Sequence, residues 1–332
     1  MPTIRTPAEL QAVMRTDYPL SEQQWAAVDA PLSPAVVVAG AGSGKTTLMA
    51  ARVVHLVATG QVRADQVLGL TFTTKAAAEL RTRVREALDA AGYGRGVLDG
   101  EEEVLEPTVA TYNSYASSLL TEHGLLIGHE PDTRLLADAT RYQLAARAIT
   151  RHTGAVRLLS DSPKHVIDYL LALEGAMSEH LVDVAAVRAF DADTAARLTE
   201  ALASSRAKKD IEDALQVTAR REELLGLVGN YRRLKAELGL MDFSDQIALA
   251  ARLAVERPEV GATQRDTFRI VLLDEYQDTS VAQALMLRRL FSGPDPDTGL
   301  GHPVTAVGDP NQAIYGWRAA ITSSASQASS SS

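Results

Sequence analysis

The chain contains no cysteine, which excludes disulfides, thiolate zinc sites and iron–sulfur clusters within it. No apolar run approaches the ~20 residues that a membrane-spanning helix needs; the apolar stretches are short and broken by Gly, Pro or charges. The N-terminal stretch, beginning Met1-Pro2-Thr3-Ile4-Arg5, lacks the apolar core of a signal peptide. A cytoplasmic protein with no membrane partner is therefore expected. Positive charge is not in excess either: 33 Lys and Arg stand against 42 Asp and Glu, a formal net charge of −9. Taken alone, that balance argues against a nucleic-acid partner, because phosphate neutralisation needs Lys and Arg. Binding depends on local fields rather than totals, however. Arg81, Arg83 and Arg85 share one short segment, and Arg206, Lys208 and Lys209 form a second basic knot. Much of the acid is concentrated in Asp99-Gly100-Glu101-Glu102-Glu103, which reads as a solvated loop. Net charge decides nothing here.

What is present is an ordinary globular composition, 46% hydrophobic and 23% charged over 332 residues, a length that favours two domains. Val36-Val37-Val38 reads as a buried strand ending in a Gly-rich turn, followed by a helix from Lys45 to about Ala58. Val67–Thr71 is a second strand candidate. Lys75 to Ala90 then forms an amphipathic helix with Leu80, Val84 and Leu88 on one stripe. The alternation returns with a strand over Phe268–Leu273, a helix over Val281–Phe291 and a strand over Pro303–Val307. Strands alternating with helices point to an α/β fold with a parallel sheet flanked by helices. Between these regions, long Ala/Leu/Arg/Glu-rich segments at helical period point to a helical insertion. The expected organisation is a discontinuous α/β domain over 1–115 and 241–320, a mainly helical domain over 116–240, and a Ser-rich tail over 321–332 that is low in complexity.

Two motifs carry chemistry. Ala39-Gly40-Ala41-Gly42-Ser43-Gly44-Lys45-Thr46 follows the first strand and opens the first helix, the context of a phosphate loop. Glycines let successive backbone N–H groups converge on an anion at a helix N-terminus. Ala41, Gly42, Ser43, Gly44, Lys45, Thr46 and Thr47 are the candidate cradle for a nucleotide. Lys45 would reach the terminal phosphates and the Thr46 hydroxyl would ligate Mg²⁺. Ala39 stands where such loops usually begin with Gly. Leu272-Leu273-Asp274-Glu275 places two acids at the end of a buried strand, the edge where open parallel sheets bind ligands. Asp274 is the candidate metal residue, and Glu275 the residue that orients or deprotonates the attacking water. Read alone, the acid pair equally describes surface residues preceding a helix; beside a phosphate loop that reading recedes.

These motifs establish an NTPase but not what it drives. Leu20-Ser21-Glu22-Gln23-Gln24-Trp25-Ala26-Ala27-Val28 resembles the adenine-reading Q motif of superfamily 1A DNA helicases of the UvrD/Rep/PcrA kind, with Gln24 at the defining position. Leu70–Ala77 resembles their motif Ia, Thr111-Tyr112-Asn113-Ser114 motif Ib, Asp274–Thr279 motif II, and Val307–Arg318 motif III. Met241–Asp245 resembles the segment that returns the chain to the first motor domain. The matches occur in family order. Asn113 and Thr74 depart from the more usual His and Asn while keeping hydrogen-bonding capacity.

The resemblance implies a RecA-like motor domain (1A) with an inserted domain (1B), ATP and Mg²⁺ as cofactors, and single-stranded DNA or a duplex/single-strand junction as partner. It implies a DNA-stimulated ATP hydrolase that moves 3′ to 5′ in repair or recombination. Gln24 would read adenine, Gln312 would sense the terminal phosphate, and Glu275 and Lys45 would serve hydrolysis. Phe72, Tyr315 and Trp317 would stack on bases, while Thr73 and Thr111 would donate to DNA phosphates; sequence-blind stacking suits a motor. A core-aromatic reading of Phe72 and Tyr112 stands as the lesser alternative, and Trp25 reads better as packing than as a base contact. Arg318 suits DNA or interdomain contacts alike. Glu179–Asp183 gives the insertion a likeness to motor subunits of actinobacterial helicase–nucleases (the AdnB type), which would imply a second subunit. The resemblance ends at motif III. Arginines that complete the ATP site in the family come from a second motor domain, so these 332 residues alone are expected to bind nucleotide and turn over little. A GTPase would carry an Asn-Lys-x-Asp segment, which is absent. A nucleotide kinase, or a DNA- or protein-binding scaffold with a decayed ATPase site, remains as a rival class.

Overall fold

The computed structural model describes residues 4–40, 42–93, 96–98, 101–103, 105–130, 133–154, 156–204, 207–292 and 301–313, with the backbone alone for 96–98, 101–103 and 204. The chain divides into two compact units, Met1–Ile127 with Ala250–Ser332, and Gly128–Leu249. The first opens with helices α1 (Pro7–Met14) and α2 (Glu22–Val28), started by capping boxes at Thr6/Glu9 and Ser21/Gln24. Strand β1 (Ala35–Val38), helix α3 (Lys45–Ala58), strand β2 (Val67–Thr71) and helix α4 (Thr74–Ala91) follow. A short antiparallel hairpin, β3 (Gly96–Leu98) with β4 (Glu101–Glu103), precedes β5 (Thr108–Thr111) and α5 (Tyr112–His123).

The second unit consists of β6 (Arg134–Leu135), four helices, α6 (Asp138–Thr150), α7 (Pro163–Glu179), α8 (Val184–Ser204) and α9 (Lys208–Glu237), and β7 (Leu240–Met241). Helix α10 (Phe243–Glu256) carries the chain across the division, and α11 (Pro258–Thr267), β8 (Ile270–Leu273), α12 (Val281–Phe291) and β9 (Val304–Gly308) complete the first unit.

In the first unit the sheet order is β1-β9-β8-β2-β5, with every pairing parallel. All five strands therefore end at one edge. Register places Val38 opposite Gly308, Leu70 opposite Leu273 and Thr71 opposite Thr111. The β2 strand is buried along its whole length, as expected for a central strand covered on both faces. Helices α3 and α4 pack there through Leu48, Val53, Leu56, Leu80, Val84 and Leu88. Burial of one such aliphatic side chain stabilises by roughly 1.5–3 kcal/mol. Gly69 permits this approach, because a Cβ there would lie 3.4 Å from Leu80 Cδ2 and 3.5 Å from Val109 Cγ2.

Three local expectations are corrected. Val36-Val37-Val38, read as a buried strand, forms β1 with Val36 and Val38 exposed, at 75% and 67%, because β1 is an edge strand with one face uncovered. The strand read over Phe268–Leu273 begins at Ile270, because the N–H of Phe268 closes helix α11 onto the Gln264 carbonyl. The acidic stretch read as a solvated loop contains β4, whose residues pair with Gly96–Leu98; the Asp-Gly dipeptide between them is a hairpin signal in sequence. Asp99 and Gly100 lie outside the described residues.

The helical unit has its own core, including Leu144, Leu170, Leu225, Val228 and Tyr231. Beside it, Glu174, Asp242 and Asp245 bring carboxylate oxygens within 4.8 Å of one another. The Lys235 ammonium lies among them, at 2.7, 3.2 and 2.6 Å respectively. Arg141 at 3.7 Å from Asp242 and Arg232 at 3.4 Å from Glu174 complete the charge balance. A buried cation answers this acid cluster. Among the described residues no helix is long and apolar enough to cross a membrane.

Candidate nucleotide-binding site

The loop between β1 and α3 turns on Gly42 and Gly44, whose φ values of 73° and 81° are left-handed and suit glycine. Ser43 Oγ donates to the Gly40 carbonyl at 2.7 Å and steadies the turn. Gly44 precedes α3 without a side-chain cap, so the first N–H groups of that helix remain directed out of its N-terminus. Lys45, Thr46 and Thr47 form the first turn. Ala41 lies outside the described residues.

Opposite this loop, β8 delivers Asp274 and Glu275. Lys45 Nζ lies 2.7 Å from Glu275 Oε2, which brings the two sequence motifs together at one sheet edge. Glu275 has φ 48°, a conformation that costs a non-glycine residue on the order of 1–3 kcal/mol and clusters at functional sites. Gln277 Nε2 also donates to Glu275 Oε2, at 2.8 Å. Gln277 Oε1 in turn accepts from the Asp309 N–H at 3.0 Å, and Gln312 Nε2 donates to Asp309 Oδ2. One hydrogen-bonded chain thus links Lys45, Glu275, Gln277, Asp309 and Gln312. It requires Gly308, where a Cβ would fall 2.3 Å from Gln277 Oε1.

The two adjacent acids are held in different states. Asp274 is buried, and burial together with the Glu275 charge pushes its pKa up to about 6. At Glu275 partial burial pulls upward, but hydrogen bonds from Gln277 and Lys45 hold the carboxylate below its usual range. Asp274 Oδ1 accepts from the Glu275 N–H at 3.0 Å. The Thr46 hydroxyl and the Asp274 carboxylate are hard oxygen donors of the kind magnesium prefers, and Asp274, unlike Glu275, makes no salt bridge among the described residues. The donor set fits.

Gln24 lies in the first turn of α2. Its Nε2 donates to the Ser43 carbonyl at 2.9 Å, and its Oε1 accepts from the Ser21 N–H at 2.9 Å. A Cβ on Gly44 would lie 3.4 Å from Gln24 Nε2 and 3.9 Å from Thr47 Cβ, so the Gln24 amide borders the phosphate loop. Trp25 points elsewhere, packing edge-on against His55 with ring centroids 5.3 Å apart.

Thr73 and Thr111 cap α4 and α5, accepting from Ala76 N at 3.1 Å and Ser114 N at 3.0 Å. Because β2 and β5 are neighbours, two helix N-termini open side by side at the same edge. Phe72 is half-buried and Tyr112 buried, with rings 4.8 Å apart. The Tyr112 hydroxyl donates to the Asp274 carbonyl at 3.3 Å. Tyr112 is therefore a core residue that joins this edge to the acid pair, while Phe72 keeps an exposed side. Tyr315, Trp317 and Arg318 lie outside the described residues, as does Arg206. In the first basic segment, Arg81 donates to the Val109 carbonyl, and Arg83 to Glu79 Oε1 at 2.7 Å and Thr47 Oγ1 at 3.1 Å.

Sequence reasoning gave no role to Gln277 or Gly308, which form the link between the acids and Asp309, nor to Arg52, a fully buried arginine of α3. A charged residue two turns after Lys45, amid an otherwise apolar helix, was the available signal.

Comparison with known proteins shows the family. The UvrD/REP helicase N-terminal domain matches residues 20–331. The chain belongs to the UvrD/REP helicase family. It is 29% identical over 307 residues to ATP-dependent DNA helicase UvrD1 of Mycobacterium leprae, covering 92% of this chain and 35% of the relative. It is 33% identical over 308 residues to ATP-dependent DNA helicase UvrD2 of Mycobacterium tuberculosis, covering 91% and 38%. DNA helicase II of Haemophilus influenzae is 27% identical over 301 residues, covering 91% and 35%. The chain spans a little over a third of the length of these relatives. As a UvrD/REP family member it carries the RecA-like parallel sheet in its first unit.

Proposed function

We propose that this chain is the ATP- and single-stranded-DNA-binding motor portion of an ATP-dependent DNA helicase that translocates 3′ to 5′ in DNA repair or recombination. The observation that carries the reading is the 2.7 Å contact of Lys45 with Glu275, between a phosphate loop and a strand-end acid pair. In this reading the loop N–H groups and Lys45 hold the triphosphate, and Gln24 exchanges its Ser43 contact for the adenine edge. Thr46 and Asp274 hold Mg²⁺, which supplies charge neutralisation at the phosphates. Glu275 orients and deprotonates water once Lys45 turns to phosphate. Gln312 transmits the state of the terminal phosphate through Asp309 and Gln277.

Single-stranded DNA passes over the ends of β2 and β5. Phe72 offers a face for stacking, and Thr73 and Thr111 offer hydroxyls beside two helix N-termini, which favour phosphate. Tyr315 and Trp317 are further base-stacking candidates by resemblance to the family alone. The names of the relatives support the helicase level.

The 332-residue chain alone is expected to bind ATP and hydrolyse it slowly, since arginine contacts from a second domain contribute ~10³–10⁵ in rate in related NTPases. Two measurements on the purified chain test the proposal: anisotropy of single-stranded and duplex DNA with and without an ATP analogue, and DNA-stimulated ATPase. Preference for the single strand, shifted by nucleotide, with turnover well below one per second, is expected. DNA affinity indifferent to nucleotide would favour a binding scaffold over a motor, and turnover of many per second would show that the chain needs no second domain.

A further inference from the structure

Arg52 is the largest fully buried side chain of the protein's described residues, and each of its guanidinium nitrogens has an acceptor. Nη1 donates to the carbonyls of Ala27, Val28 and Ala30 at 3.0, 3.0 and 2.9 Å. Nη2 donates to Pro31 O at 3.2 Å and Nε to Thr305 Oγ1 at 3.1 Å. Four of these five acceptors lie at or just beyond the C-terminus of α2. That terminus otherwise leaves carbonyls unsatisfied at the negative end of the helix dipole. Burial lowers the Arg52 pKa and the nearby Asp29 opposes it; an arginine so placed remains charged.

The three segments that meet on this guanidinium each lead to a different part of the nucleotide site. Helix α2 carries Gln24 in its first turn. Helix α3 begins with Lys45, two turns before Arg52 on the same stripe. Strand β9 carries Thr305 and runs on to Asp309, the partner of Gln312. A planar fork with five donors in fixed directions sets these segments at fixed separations, which a flexible ammonium does not.

We propose that Arg52 is a positioning residue for base recognition: by clamping the end of α2 it fixes the Gln24 amide against the phosphate loop, and thereby sets the preference for adenine over guanine nucleotides. This rests on the reading of Gln24 as the base contact. Arg52 touches no nucleotide and acts through Gln24 alone.

The test is equilibrium binding of fluorescent ATP and GTP analogues to the purified chain, for wild type, Gln24→Ala, Arg52→Lys, Thr305→Val and the double variant Gln24→Ala/Arg52→Lys. Arg52→Lys is expected to weaken ATP at least about fivefold and to bring the ATP:GTP ratio towards one, with single-stranded-DNA affinity unchanged. Gln24→Ala should do the same, and the double variant should be no worse than Gln24→Ala, because the two residues act in series. Thr305→Val, which removes one of the five partners at nearly constant volume, should show a smaller shift in the same direction. Should Arg52→Lys fail to fold by circular dichroism, Thr305→Val decides the matter. A folded Arg52→Lys, or in its absence Thr305→Val, that keeps the wild-type ATP:GTP ratio while Gln24→Ala loses it would overturn the proposal and leave Arg52 a purely structural clamp. If Gln24→Ala itself keeps the ratio, the base-reading role of Gln24 falls, and this inference with it.

Discussion

Lys45 and Glu275 stand 230 positions apart in sequence, yet their side chains meet at 2.7 Å. The helical unit and the β2–β5 half of the sheet intervene between them in the chain. Parallel order brings them together: β1 and β8 both lie against β9, and both end at the same edge. There the ammonium and the carboxylate answer each other's charge. In our proposal the same two side chains serve the nucleotide.

That pairing has a consequence for Glu275→Gln. The substitution removes the acid that competes for Lys45 but leaves the cradle, so ATP affinity of the chain should be retained or rise by up to about threefold. ATP turnover should fall ~10²–10⁴-fold, the usual contribution of a general base. Titration calorimetry and ATPase assays separate the two effects. Loss of binding together with turnover would contradict the role.

Phe72→Ala tests the DNA edge. Loss of one stacking face should weaken single-stranded-DNA binding by roughly 1–3 kcal/mol, irrespective of base sequence. ATP affinity should not change, since Tyr112 rather than Phe72 reaches the Asp274 carbonyl. Anisotropy with oligonucleotides of different composition measures this; a base-dependent loss, or none, would remove Phe72 from the track.

In the helical unit, Lys235→Met leaves Glu174, Asp242 and Asp245 gathered without their central cation. Burial already pushes the Glu174 carboxyl upward against the pull of Lys235. Breaking such a buried pair costs ~3–5 kcal/mol, visible as a lower urea midpoint for this unit. A loss under about 1 kcal/mol would show that Arg141 and Arg232 suffice.

His55 provides a pH signature. Burial, countered by Asp29 at 3.2 Å, holds its pKa below the ordinary 6.5. The unfolded chain therefore takes up the proton more readily than the folded one, and stability is lost as pH falls below about 6.5. Urea midpoints at about pH 7 and pH 5.5 should drop more for wild type than for His55→Gln. An equal or larger drop in the variant would contradict this.

Much of this site was legible in the sequence because it rests on local rules. Glycines before Lys45 signal an anion cradle, β-branched runs signal strands, though not the exposure of Val36 and Val38 in β1, and Leu80, Val84 and Leu88 mark the inner face of α4. The insertion of β9 between β1 and β8 was not legible, since alternation of strands and helices implies parallel pairing but not strand order. Arg52 was missed for a related reason. A lone arginine amid the apolar α3 signals a buried charge but does not name its partners until the end of another helix is known to lie over it. Gln277 and Gly308 carry no signature of their own; their meaning is a contact between two loops that only the fold brings together.

The central claim is that the phosphate loop and the acid pair hold one metal-bound nucleotide. Calorimetric titration of ATP into the chain, with magnesium and with a chelator, tests it for wild type, Lys45→Ala and Asp274→Asn. Tenfold or greater weakening is expected in each variant, with the magnesium dependence lost in Asp274→Asn. ATP binding that persists undiminished in Asp274→Asn and is indifferent to magnesium would contradict it.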